Sequence, residues 1–140
     1  MAIERTATGT WHGDLRSGNG LISATSGVLN DAPFTFATRF EHAKGTNPEE
    51  LIAAAHAACF SMAFANYLAS AGHKPEEIRT TATITLDNGI INAMHLVTHG
   101  RVPGLTAEEF ATHAVAAEQK CPVSNLLRPG LTISLDAQLM

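Results

Sequence analysis

Apolar and polar positions change their period several times along the chain, and each change marks an element. Residues 2–12, AIERTATGTWH, are rich in threonine with Ile3 and Trp11 and read as a first strand. GDLRSGNG (13–20) is a loop. LISATSGVLN (21–30) is a second short strand broken at Ser26–Gly27, and Asn30–Asp31 with Pro33 makes a further turn. In PFTFATRFE (33–41), Phe34, Phe36 and Phe40 fall on one side of a two-residue period, and Thr35, Ala37 and Arg39 on the other. This predicts a strand with a phenylalanine face toward the core and Arg39 on the opposite face. HAKGT (42–46) is a loop.

The period then becomes helical. Asn47 is the cap, Pro48 takes the first position, where its missing N–H costs nothing, and Glu50 completes a capping box in form. The helix should run to about Ser70, with Ala71–Gly72 ending it and Pro75 preventing resumption. It carries no charge after Glu50, so it invites a membrane reading. Its alanine content, His56, Ser61 and Asn66, and the lack of a basic flank argue against one. A helix apolar on all sides is expected to lie buried inside protein.

Beyond it, Ile78, Ala82, Ile84 and Leu86 alternate with Arg79, Thr81, Thr83 and Thr85, and Asn88–Gly89 predicts a tight hairpin into a return strand over 90–102. Pro103–Gly104 turns the chain. Thr106 with Glu109 opens a helix to about Lys120, and Pro122 starts a short helix over 122–128 with Cys121 as its cap. LTISLDAQL (131–139) is a last alternating strand. Mostly antiparallel connections point to an α+β fold, and 140 residues without a linker fit a single domain over 1–140.

Charge narrows the partners. A net charge of −4 and a pI near 5.9 argue against nucleic acid and against an anionic membrane surface. MAIERTATGT holds no basic segment followed by an apolar run, so no secretory leader is expected and a reducing cytoplasm is the expected compartment. There a permanent structural disulfide between Cys59 and Cys121 is not expected, and two thiols make no cysteine-based zinc site. His95 and His99 share a strand face without a third ligand, so no metal is expected.

The two cysteines are therefore inert buried thiols or a working redox pair. Cys59 sits in a helix among Ala55, Ala58, Phe60, Met62 and Ala63; it reads as a small core hydrophobe or as a nucleophile beside a slot left by small neighbours. Cys121, directly before a helix N-terminus, has a setting that favours a thiolate. An attacking sulfur needs a cation beside it. Arg39 is the candidate, with Glu49 able to hold its guanidinium; the plainer readings are a solvated arginine and a first-turn acid. Without an arginine between them, Glu49 would raise the Cys59 pKa. His56 stands three residues before Cys59 and could form a Cys–His acyl-transfer or hydrolase pair, but reads better as a packed, hydrogen-bonded histidine.

NPEELIAAAHAACFSMA (47–63) with KCPVSN (120–125) resembles the OsmC/Ohr family, the osmotically inducible protein C and organic hydroperoxide resistance proteins. The resemblance covers essentially the whole chain, and TRFE (38–41) with AAHAACFSMA (54–63) is similar to the OsmC branch. It implies an intertwined homodimer with antiparallel sheets around a long central helix, and a thiol-dependent peroxidase reducing organic hydroperoxides. Cys59 would be the peroxidatic cysteine and Cys121 the resolving one. Arg39 would activate the thiol with Glu49 as its acidic partner, and Arg16 is the rival for the arginine. No metal or bound cofactor is implied, and small dithiols such as lipoyl groups would be the reductants. Apolar walls from Phe36, Phe60 and Met62 would favour an organic tail. A non-catalytic dimer binding apolar ligands is the reading from another class.

The spacing of Glu49 and Cys59 adds a constraint. Ten helical residues amount to about 15 Å of rise and about 80° of rotation. Either the helix breaks between them, or Glu49 serves the Cys59 of a second copy crossing at a two-fold axis.

Overall fold

A computed structural model describes all 140 residues. The chain divides into two compact units, Met1–Leu51 and Ile52–Met140.

In the first unit, β1 (Ala7–His12), β2 (Asn19–Ala24) and β3 (Ala32–Phe34) form an antiparallel sheet in that order. Gly20 pairs with Trp11 on one side and Phe34 on the other. A side chain at Gly20 would overlap both rings, so its absence lets them pack with centroids 5.3 Å apart.

The predicted strand over 33–41 is not formed beyond Phe34. Thr35 instead caps a short helix, α1 (Phe36–Phe40). Thr35 Oγ1 accepts the Thr38 N–H (3.2 Å), and Thr38 Oγ1 accepts the Thr35 N–H (2.9 Å). This reciprocal cap satisfies the donors a strand would have offered to a neighbour. The change of period brings Phe36 and Phe40 onto one helical face, rings 4.9 Å apart. Arg39 is therefore not opposed to the phenylalanines; its guanidinium lies over the Phe40 ring, 5.1 Å from the centroid.

Helix α2 (Pro48–Ser70) runs unbroken for 23 residues. Asn47 Oδ1 accepts the Glu50 N–H (2.8 Å), so the cap forms. Its return half does not, because Glu50 accepts the Thr46 hydroxyl instead (2.9 Å). At the far end Gly72 adopts φ +90°, which lets the His73 N–H reach back to the Leu68 carbonyl (2.8 Å). The helix is long and apolar enough by composition to cross a bilayer. Ala53, His56, Phe60, Phe64 and Leu68 are buried at spacings of three and four, whereas Ala54, Ala55, Ala58, Met62, Asn66 and Ala69 are exposed. Burial inside protein was expected on all sides; within this chain it holds for one.

In the second unit, β4 (Glu77–Asp87) and β5 (Ile90–Arg101) form the predicted hairpin, with Asn88 and Gly89 at φ 49° and 77°. Strand β6 (Thr132–Leu139) joins β5 in parallel, Met94 facing Ile133, which makes this sheet mixed rather than wholly antiparallel. Between them lie α3 (Ala107–Lys120), with the predicted Thr106–Glu109 capping box, and α4 (Pro122–Leu127). The core unites Phe60, Phe64 and Leu68 of α2, Met94 and Leu96 of β5, and Phe110, Ala114 and Ala117 of α3. Each large side chain sealed here contributes about 1.5–3 kcal/mol.

Gly100 of β5 lies under Phe110, whose ring occupies the space a Cβ would take. Gly100→Ala is expected to destabilise by about 1–3 kcal/mol through overpacking, read as a lower urea midpoint at unchanged slope. An unchanged midpoint would show that Phe110 yields freely.

Candidate active site

In the second unit, one residue separates α3 from α4, and that residue is Cys121. Its N–H bonds the Glu118 carbonyl to close α3 (3.2 Å), and its Sγ accepts the Ser124 N–H to cap α4 (3.5 Å). Pro122 follows as the first residue of α4, where no N–H is required. Cys121 is fully buried at this elbow; Cys59, on α2, is half-buried. The structure brings the two sulfurs to 3.5 Å, as free thiols with Cys121 donating to Cys59. Closing to a disulfide at about 2.05 Å needs only about 1.5 Å of approach.

Burial pushes the Cys59 thiol above its ordinary pKa. The Val123 N–H at the start of α4 works against this, and the hydrogen bond and charge of Cys121 add to it. No cation is among these influences. The second unit thus brings a second thiol and one N–H donor to Cys59, with no cation among the influences on its pKa.

Behind the cysteines lies a polar layer. His56 and Ser124 are both fully buried, and His56 Nε2 is 2.7 Å from Ser124 Oγ. His56 is hydrogen-bonded to Ser124 rather than to Cys59, in keeping with a packed histidine. Glu118 is buried and forms an ion pair with Arg128 at 2.9 Å, bracing the elbow from the end of α3 to the end of α4. Desolvation lowers the His56 pKa; Glu118 opposes that and Arg128 adds to it. Ser124, Glu118 and Arg128 were not singled out from the sequence. The one available signal is that Ser124 follows Cys121 by the same three residues that separate His56 from Cys59.

The first unit holds the other charged group. Arg39 Nε donates to both oxygens of Glu49 (3.1 and 3.3 Å), and Nη2 donates to Oε1 (2.7 Å). Glu49 is almost fully buried and Arg39 about one-third exposed, so the carboxylate fixes one edge of a guanidinium whose other edge stays free. Asn47 Nδ2 bonds the Thr38 carbonyl (2.9 Å), tying the start of α2 to α1. Arg16 lies over the Phe36 ring, 4.9 Å from its centroid, and Glu49 pairs with Arg39, not with Arg16. Arg39 lines a cavity of about 400 Å³ with Trp11, Leu15, Phe34, Phe36 and Phe40. Of the three expected apolar walls, Phe36 lies here. Phe60 is sealed in the core of the second unit, and Met62 is 74% exposed on the outer face of α2. Trp11, Leu15, Phe34 and Phe40 are wall residues that the sequence reading missed. The alternation made the three phenylalanines visible but turned them toward a core.

His95 and His99 bond Ser134 (2.6 Å) and Gln138 (3.1 Å), their register partners on β6.

The family model for OsmC-like protein matches residues 41–136, which include both cysteines. This chain belongs to that family. It is 46% identical to the Peroxiredoxin OsmC of Escherichia coli (strain K12), over 99% of each protein. It is 33% identical to the organic hydroperoxide resistance protein of Xanthomonas axonopodis pv. citri, over 65% of this chain and 66% of that protein. The higher and fuller identity places this OsmC-like chain on the expected OsmC branch. Among solved structures it resembles the organic hydroperoxide resistance protein OhrB of Bacillus subtilis (TM-score 0.70, 28% identity, 95% and 98% of the two chains). It also resembles an organic hydroperoxide resistance protein from Elizabethkingia anophelis (TM-score 0.74, 29% identity, 100% of both chains). The α+β fold with a long helix is that of the OsmC/Ohr proteins.

Buried neutral His56 gives this OsmC-like protein a pH dependence. Its folded pKa lies below the unfolded value of about 6.5, so the contribution is complete above that pH and is lost as pH falls below it. Stability is expected to fall with pH below 6.5 at up to about 1.4 kcal/mol per unit, and His56→Gln should remove that part of the slope. Equal slopes in both proteins, from denaturation series between pH 8 and 5, would contradict this.

Proposed function

We propose that the chain is a thiol-dependent peroxidase that reduces organic hydroperoxides through Cys59, with Cys121 resolving the oxidised sulfur. The peroxidase activity accords with the OsmC and organic hydroperoxide resistance relatives. The observation that carries the assignment of residues is the 3.5 Å approach of two free thiols on different elements.

The Cys59 thiolate attacks the distal peroxide oxygen. An S–O bond forms and the O–O bond breaks; the alkoxide leaves and takes a proton to become the alcohol. The sulfur, oxidised by two electrons, is a sulfenic acid. Cys121 then attacks that sulfur, the S–O bond breaks, and the hydroxyl departs as water with the Cys121 proton. A dithiol of the lipoyl kind attacks the resulting disulfide at Cys59, the more exposed sulfur, and leaves as its own cyclic disulfide. No cofactor takes part.

Arg39 binds the peroxide and supplies the positive charge missing around Cys59, with Glu49 holding it. The neighbouring apolar cavity takes the organic tail and favours it over hydrogen peroxide. Glu49 and Cys59 stand ten residues apart on an unbroken helix, about 15 Å along its axis. Arg39 and Glu49 of one copy therefore serve Cys59 of a second. The exposed, alanine-rich face of α2 is the surface on which two copies cross, since small side chains allow close approach. The protein is thus an intertwined homodimer of single-domain chains, working in the cytoplasm.

Cys59→Ser is expected to abolish consumption of tert-butyl hydroperoxide with a dithiol; undiminished turnover would end the assignment. A mixed dimer of Cys59→Ser and Glu49→Ala chains should keep one intact site, about half of wild-type activity. Were each site built within one chain, the mixed dimer would perform no better than the average of its two parents.

A further inference from the structure

The two reacting sulfurs lie on different elements, α2 and the α3–α4 elbow, and a second contact one turn away joins the same elements. His56 precedes Cys59 by three residues on α2; Ser124 follows Cys121 by three on α4. Cys59 meets Cys121 at 3.5 Å and His56 meets Ser124 at 2.7 Å. The four residues close a quadrilateral with two helical edges and two side-chain contacts. Ser124 is bonded into it twice, through its hydroxyl to His56 and through its N–H to Cys121 Sγ.

Packing does not require a histidine at this place. His56 is fully buried, and its Nδ1 has no hydrogen-bond partner. Nε2 makes its hydrogen bond with Ser124 Oγ in either tautomer, as donor or as acceptor. An aliphatic side chain would fill the volume without removing an imidazole from water. What it would lose is a directional link between the element bearing Cys59 and the element bearing Cys121.

We propose that the His56–Ser124 hydrogen bond is a positioning clasp for the resolving step: it holds Cys121 in line with Cys59 so that the disulfide closes before a second peroxide arrives. This rests on the peroxidase reading above. Neither residue touches the peroxide. In the clasped protein the Cys121 sulfur attacks the Cys59 sulfenic acid, the S–S bond forms, the S–O bond breaks and water leaves with the Cys121 proton. Without the clasp α4 is freer to drift, and the waiting sulfenic acid reacts with a second hydroperoxide to give a sulfinic acid and another alcohol.

The test separates the two steps. Reduced protein is mixed with tert-butyl hydroperoxide, quenched at intervals with dimedone and an alkylating agent, and read by intact mass. In Ser124→Ala, oxidation of Cys59 is expected at close to the wild-type rate, while disulfide closure slows by about tenfold or more, as a small misplacement of reacting groups allows. With excess peroxide a larger share of Cys59 should reach sulfinic acid. His56→Leu should behave likewise, and His56→Gln, whose amide can donate or accept near the place of Nε2, should recover much of the closure rate. Closure in Ser124→Ala as fast as in wild type overturns the clasp. Ser124→Ala deletes one oxygen, so it decides the matter should His56→Leu not fold.

Wild-type protein that consumes no peroxide would defeat the peroxidase reading instead. The clasp then stands or falls on the disulfide equilibrium with dithiothreitol. An effective thiol concentration about tenfold lower in Ser124→Ala supports it, and an unchanged value overturns it.

Discussion

A sulfur that must carry negative charge in the proposed mechanism is held in a place that disfavours it. Burial pushes Cys59 toward the neutral thiol, and its surroundings return only the Val123 N–H against the adjacent Cys121 thiol. The rest of the proposed site follows from that deficit. The proposed mechanism requires a cation, and assigns that part to the paired Arg39 beside an apolar cavity. The low polarity that raises the thiol pKa also strengthens a nearby opposite charge. In the proposed dimer, delivery of Arg39 from a second copy would tie the reactivity of Cys59 to assembly.

Helix α2 links these requirements because both of its faces are apolar and only one is buried within the chain. The buried stripe of Phe60, Phe64 and Leu68 fixes the helix in its own core. The opposite stripe of Ala54, Ala58 and Met62 is left for a second copy in the proposed dimer. Glu49 at the start of the helix and Cys59 near its middle are too far apart along one axis to share a site, yet helices crossing near their middles exchange such positions. In the proposed dimer one segment thereby supplies a core, an interface, an acid and a nucleophile.

The elements legible in the sequence were those with local signals strong enough to stand alone. Asn47–Pro48, Asn88–Gly89 and Thr106 with Glu109 each encode a cap or a turn in adjacent residues, and each forms. The segment at 33–41 misled because α1 is only five residues long, too short to show a helical period, and Thr38 stands where a capping box usually shows Glu or Gln. The same error turned Arg39 away from the phenylalanines it accompanies. Parallel pairing of β6 with β5 depends on a crossover through α3 and α4, which alternation within β6 does not report. The cysteines and the Arg39–Glu49 pair were visible as residue types able to do the chemistry. Ser124 was not, since a serine in a short helix has no meaning until His56, 68 residues away, is seen beside it.

In the proposed site Glu49 looks counterproductive, because its carboxylate offsets most of the charge on Arg39. The geometry resolves this. Glu49 takes the Nε edge and one Nη2 contact, which fixes the plane of the guanidinium and leaves its Nη1 side free. A lone arginine would bring a full charge on a side chain with several free rotations; the paired one brings a directed set of N–H donors already in place. Preorganised donors stabilise charge as it develops on the departing alkoxide without reorienting during the reaction. The near-neutral pair is also less costly to cover with apolar surface than an isolated cation would be. An ion pair against phenylalanine rings therefore suits a substrate with a polar peroxide head and an organic tail, since both parts must be desolvated together.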